Sequence, residues 1–121
     1  MFIKTLLVSL LSIIHLNATD MRALFFHGNC VTCHFEDKAH SAPSIIQIKK
    51  RYKDAFSNKE DFVKYMSKWV LKPESKTSLM SDAIDKYELT PELGYNLDTL
   101  KEITSYIYET DFSKKHEGHK N

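Results

Sequence analysis

Apolar residues recur every three to four positions along most of this chain, the period of helices that pack on one face. The first such stretch is Thr19 to His27, with Met21, Leu24, Phe25 and Phe26 as its apolar set. Thr19 or Asp20 is placed to cap it, and Gly28 to end it in a left-handed turn. A second pattern follows Ser41, where Ile45, Ile48, Tyr52 and Phe56 share one face and Lys49, Lys50, Arg51 and Lys53 crowd the other. Pro43 suits its first turn. The clearest helix runs from Ser57 towards Pro73, with a stripe of Phe62, Met66, Trp69 and Val70. Ser57 and Glu60 have the spacing of a capping box, and Pro73 stops the helix. After a polar loop, Ser81 is placed to cap a short helix bearing Ile84 and Tyr87. The turn-rich connection "TPELGYN" leads to a last helix, where Leu97, Leu100, Ile103 and Ile107 line one face and Tyr106 and Tyr108 widen it. No stretch alternates as a strand would. The pattern predicts an all-α domain of about five short helices, with residues 113–121 as a flexible polar tail.

The first residues read differently. Lys4 is the only charge before Asp20, and an apolar run from Leu6 to Leu16 follows it. Leu16-Asn17-Ala18 offers a small residue where an export protease cuts, which completes the layout of a secretory signal peptide over residues 1–18. The rival reading is an uncleaved membrane anchor. The uncharged run from Thr5 to Thr19 is 15 residues and carries Ser9, Ser12, His15 and Asn17, short for a span that needs about 20 apolar residues. Export to the periplasm is the expectation, with no stable membrane insertion once the signal is removed.

Charge excludes some partners. The chain has 17 basic and 16 acidic side chains, and the signal takes one lysine and no acid with it. The domain left behind is formally neutral. A nucleic-acid binder shows a strong basic excess, and attachment to anionic lipid needs a polybasic patch. Neither is expected.

Both cysteines fall in "GNCVTCHFE", with His34 directly after the second. A disulfide across Cys30 and Cys33 closes a tiny loop and stabilises little. A dithiol redox site wants a βαβ setting that the pattern does not supply. A zinc site needs two further ligands; His27 and His40 flank the motif but neither forms a second paired half. Cys-x-x-Cys-His is the attachment motif of c-type haem, and that reading leads the disulfide and zinc readings. Cys30 and Cys33 would each form a thioether to a haem vinyl group, and His34 would ligate the iron. An axial histidine usually donates its second ring N–H to a carbonyl, and Pro43, nine residues on, is the candidate acceptor. One haem per chain also gives a domain of this size an apolar plate to pack on.

With Cys30-Val-Thr-Cys33-His34 preceded by a helix, Pro43 nine residues later, Met80 in a loop before the last helix, and an aromatic-rich final helix from Leu97 to Phe112, the chain resembles small class I monohaem c-type cytochromes over residues 20–112. The resemblance implies a few helices wrapped around one covalently bound haem. It implies that the first and last helices cross, bringing Leu24, Phe25 and Phe26 against Ile103, Tyr106 and Ile107. It also implies Met80 as the sixth iron ligand. Met66 belongs to a core stripe, where a methionine is usually packing, and Met21 is too close to the motif. Many relatives place a proline after the ligand methionine, where this chain has Ser81. Under this reading Tyr52 and Trp69 are core rather than donors to a haem propionate, and the lysines at 49–53 are a solvated face.

The implied function is single-electron transfer between larger redox complexes, with transient protein donors and acceptors, a monomeric carrier and no enzymatic activity. The alternatives are a haem-based gas sensor or small peroxidase with a labile sixth ligand, or a haem subunit fixed to one enzyme. His116 and His119 form a His-x-x-His pair in the tail, read as solvated rather than as a metal site.

Overall fold

The computed structural model describes residues 20–114. The expected signal peptide over residues 1–18, the alternative cap Thr19, and His116 and His119 lie outside the described residues. Within them the chain is all-helical, with five α-helices and no strand. They are α1 (Met21–Asn29), α2 (Ile45–Ala55), α3 (Lys59–Leu71), α4 (Ser81–Tyr87) and α5 (Leu97–Glu109), with a short 3₁₀ turn at Ser75–Thr77. No helix among the described residues is long and apolar enough to cross a membrane.

Local chemistry sets the ends of these helices, in several places one residue from where the sequence pattern puts them. Asp20 caps α1 by accepting from the Arg22 N–H. The helix then runs through Gly28, which stays helical, and ends with Cys30 as its C-cap. Pro43 does not open α2; Ser44 is the N-cap, accepting from Gln47, and Pro43 lies just ahead of it. The α3 cap is Asn58 rather than Ser57, with its side chain accepting from the Asp61 N–H and donating to the Asp61 carboxylate. A shorter Asn–Asp pair has displaced the Ser–Glu box by one position. Ser81 is the first helical residue of α4 rather than its cap; Met80 holds that place and offers no side-chain hydrogen bond. Asn96 caps α5 through the N–H groups of Asp98 and Thr99.

Helix α5 is the central element. It packs most extensively on α3 and next on α1, while α2 touches both α3 and α5. The core is Phe26 from α1, Ile45 and Tyr52 from α2, Phe62 and Met66 from α3, and Ile103, Tyr106 and Ile107 from α5. Phe112 joins it from beyond the end of α5, folding back so that its ring lies 5.3 Å from that of Phe26. Each buried side chain of this size is worth roughly 1.5–3 kcal/mol of transfer free energy. Ser67 and Thr104 are fully buried yet satisfied, each hydroxyl donating to a carbonyl of its own helix.

The crossing of α1 and α5 rests on Phe26 alone among the three expected residues. Its ring sits 5.2 Å from that of Tyr106, whereas Leu24 and Phe25 are 54% and 39% exposed. One helical face can turn only one of three consecutive residues fully inward. Met66 is buried in the core as the stripe predicts, but Trp69 is only half-buried at its edge. An ion network ties the same three helices at the surface, with Arg22 and Lys59 both pairing with Glu109.

Candidate functional site

The last turn of α1 carries the two cysteines into a tight bend. The Cys30 N–H donates to the Phe26 carbonyl (2.9 Å), and the Cys30 carbonyl in turn accepts from Cys33 (3.3 Å) and His34 (2.8 Å). Backbone hydrogen bonds therefore hold the first and last residues of Cys-x-x-Cys-His one turn apart. Both cysteines are free, Cys30 half-buried and Cys33 exposed. Burial, with the Cys33 sulfur nearby, pushes the Cys30 thiol up to about 11. Among the described residues there is no group of three His, Cys, Asp or Glu side chains that could hold a metal ion, and no strand.

His34 is oriented by a loop that folds back on the motif. The first two N–H groups of α2, which have no partner within their own helix, donate to carbonyls ten residues earlier: Ile45 to Phe35 (2.9 Å) and Ile46 to Glu36 (3.0 Å). These two bonds close the segment between His34 and α2 and bring the buried Pro43 back to the motif. The Pro43 carbonyl then lies 2.8 Å from Nδ1 of His34. With Nδ1 the donor, the tautomer is set and Nε2 is left as the lone-pair nitrogen. Nε2 makes no hydrogen bond to a described residue, and no buried side-chain nitrogen or oxygen among them lacks a partner. Nε2 is therefore not fully buried. His40 stacks on Phe35 within the same loop (5.5 Å between centroids), and the exposed His27 meets the Phe26 ring edge-on.

Met80 comes from a separate part of the chain, the loop between α3 and α4. It is 7% exposed, yet it is not part of the Phe26–Phe62 cluster. No hydrogen bond among the described residues links it to the Cys30–His34 turn. Its backbone N–H donates to the Ser78 hydroxyl (3.0 Å). Side chains from α3 hold the loop before it, Trp69 Nε1 donating to the Glu74 carbonyl (3.0 Å) and the Tyr65 hydroxyl to that of Thr77 (2.6 Å). An open groove of about 430 Å³ beside this loop, lined by Phe56, Tyr65, Trp69 and Thr77 among others, contains none of the motif residues.

Two residues near these groups were not legible in the sequence. Tyr95 reaches from the connection before α5 and donates to the Asn29 carbonyl (3.3 Å). Its hydroxyl is pushed up by burial and by the neighbouring Cys30 and Cys33 sulfurs, which places it beside the cysteine pair. An aromatic just after Gly94, whose φ of 69° bends the chain there, was the available signal. Arg51, grouped in the sequence with solvated lysines, reaches the Met80 loop; its Nη1 donates to the Leu79 carbonyl (3.1 Å) and the same fork pairs with Asp82. The lysines around it are also engaged: Lys49 with the Thr110 carbonyl, Lys50 with Asp54, and Lys53 over the Tyr108 ring. No family model, curated protein or solved structure matches the chain.

Proposed function

We propose that the chain is a monohaem c-type cytochrome that carries single electrons between redox proteins outside the cytoplasm. The observation that carries this reading is His34, placed by the Cys30 carbonyl, oriented by the Pro43 carbonyl 2.8 Å away, and left with Nε2 free. A bare dithiol or a disulfide has no use for such an imidazole. A haem ligand needs it, and needs the two thiols on the same turn.

The donor set fits the group. Cys30 and Cys33 would hold the haem through thioethers, each S–H adding across a vinyl double bond with the hydrogen going to the other vinyl carbon. His34 would ligate the iron through Nε2, and Met80 would ligate it through its thioether. The haem contributes a one-electron Fe(II)/Fe(III) couple. Two protein ligands would leave no open position for oxygen or substrate and would keep the same surroundings in both oxidation states, as electron transfer requires. In this reading the haem edge held by the two thioethers is the side where transient partners would approach. The same reading has the helices wrapping the cofactor, with export supplying the compartment in which it is attached.

The test is the protein exported from a host that matures c-type haem. The expected product keeps its colour after acid–acetone extraction and loses it in Cys30→Ala/Cys33→Ala. Its ferric form shows a long-wavelength Met–Fe charge-transfer band that Met80→Ala removes. Protein that emerges without covalently bound haem from such a host overturns the reading. A haem-loaded ferric protein without that band overturns Met80 as the sixth ligand.

A further inference from the structure

Helix α4 has little to hold it in place. It is seven residues long, well below the length at which a helix persists unaided, and makes no substantial contact with another helix. Its N-cap, Met80, provides no capping side chain. The ties that locate Met80 come from elsewhere, and one residue supplies three of them. Nη1 of Arg51 donates to the Leu79 carbonyl (3.1 Å) and to Oδ1 of Asp82 (3.0 Å), while Nη2 donates to Oδ2 (3.1 Å). The fork thus grips the chain on both sides of Met80, at the residue before it and two residues after. A guanidinium can do this because its donors are planar and fixed relative to one another; an ammonium cannot match both positions at once.

The anchor of this fork is α2, held in the core by Ile45 and Tyr52. The Pro43 carbonyl that orients His34 lies immediately ahead of the same helix. From Ile45 to Arg51 the helix rises about 9 Å. One rigid element therefore connects the loop that aims His34 to the loop that carries Met80. We propose that Arg51 is a positioning residue for Met80: its fork to Leu79 and Asp82 keeps the thioether seated on the iron and restrains the opening of the 78–82 segment. The proposal rests on the reading of Met80 as an iron ligand.

The experiment uses the haem-loaded ferric protein, with imidazole as the external ligand that enters only when Met80 leaves. The saturating rate of imidazole binding reports loop opening, and the Met–Fe band reports the seated state. Arg51→Gln is expected to raise the saturating rate about two- to fivefold, the scale of a largely exposed ion pair. Arg51→Lys is expected to fall between, because it keeps the charge without the fork. Lys50→Gln, which removes a neighbouring charge paired only with Asp54, is expected to match the parent. Should Arg51→Gln not fold, Asp82→Asn removes one side of the fork and is expected to raise the rate in the same direction. A parent-like rate in these fork variants, with the Met–Fe band present in the parent, overturns the proposal and leaves the ligand assignment standing. A faster rate fully matched by a loss of urea stability also overturns it, since Arg51 would then serve only the global fold. Absence of the band from the parent is the distinct failure of the Met80 assignment, and takes the proposal with it.

Discussion

Phe26 joins the motif-bearing helix to the rest of the protein, and Phe26→Ala tests that joint. The side chain has no exposed surface, and its ring faces Tyr106 at 5.2 Å and Phe112 at 5.3 Å. Removing a fully buried phenylalanine ring costs about 3–5 kcal/mol, made up of lost transfer energy and the cavity left behind. The upper part of that range applies here. Two aromatic neighbours lose a partner together, each such pair being worth roughly 0.5–1.5 kcal/mol beyond its area. Against a typical domain stability of about 5–15 kcal/mol the loss is severe. The Phe26 carbonyl also accepts from the Cys30 N–H, so loosening this turn loosens the cysteine pair. Guanidinium denaturation followed by circular dichroism, with the slope unchanged, measures the effect. Leu24→Ala is the control, since its side chain is 54% exposed and the expected change is within about 0.5 kcal/mol. A Phe26→Ala loss below about 1.5 kcal/mol, or an equal loss at Leu24, refutes the single-residue crossing of α1 and α5.

Two glycines are expected to respond to alanine with opposite signs. Gly28 lies inside α1 with open space around an added Cβ, so Gly28→Ala should raise stability by about 0.5–1 kcal/mol, read as a higher melting temperature. Gly94 also has room, but its φ of 69° is costly for any other residue, so Gly94→Ala should lower stability by about 1–2 kcal/mol. High pH should destabilise the domain through Tyr52, whose hydroxyl is pushed well above the ordinary tyrosine range by burial, with Tyr65 adding to the shift. The unfolded chain releases this proton near pH 10 while the folded one retains it, so stability is intact below that point and falls as pH rises beyond it. Tyr52→Phe should flatten that decline in urea midpoints measured from pH 8 to 11.

The sequence by itself determined the helical secondary structure and most of the core faces of α3 and α5, and it placed both cysteines and His34 on one local stretch. The 3.6-residue period specifies which residues turn inward, and a bend containing Cys30, Cys33 and His34 is local enough to be encoded by adjacent residues. Cap positions were legible only to within a residue, because Ser57 and Asn58, or Thr19 and Asp20, compete for the same backbone N–H groups. What the tertiary structure decided was which distant groups meet. The Pro43 carbonyl reaches His34 because Ile45 and Ile46 bond back to Phe35 and Glu36, an arrangement that depends on where α2 is docked. Tyr95 reaches the cysteine turn across 66 residues of sequence, and Phe112 leaves the line of α5 to fill the space against Phe26. Arg51 looked like one more cation on a polar face. Only the docking of α2 against the loop before α4 turned that cation into a fork spanning Met80, since an arginine's partner is set by what packs opposite it and not by its neighbours in the chain.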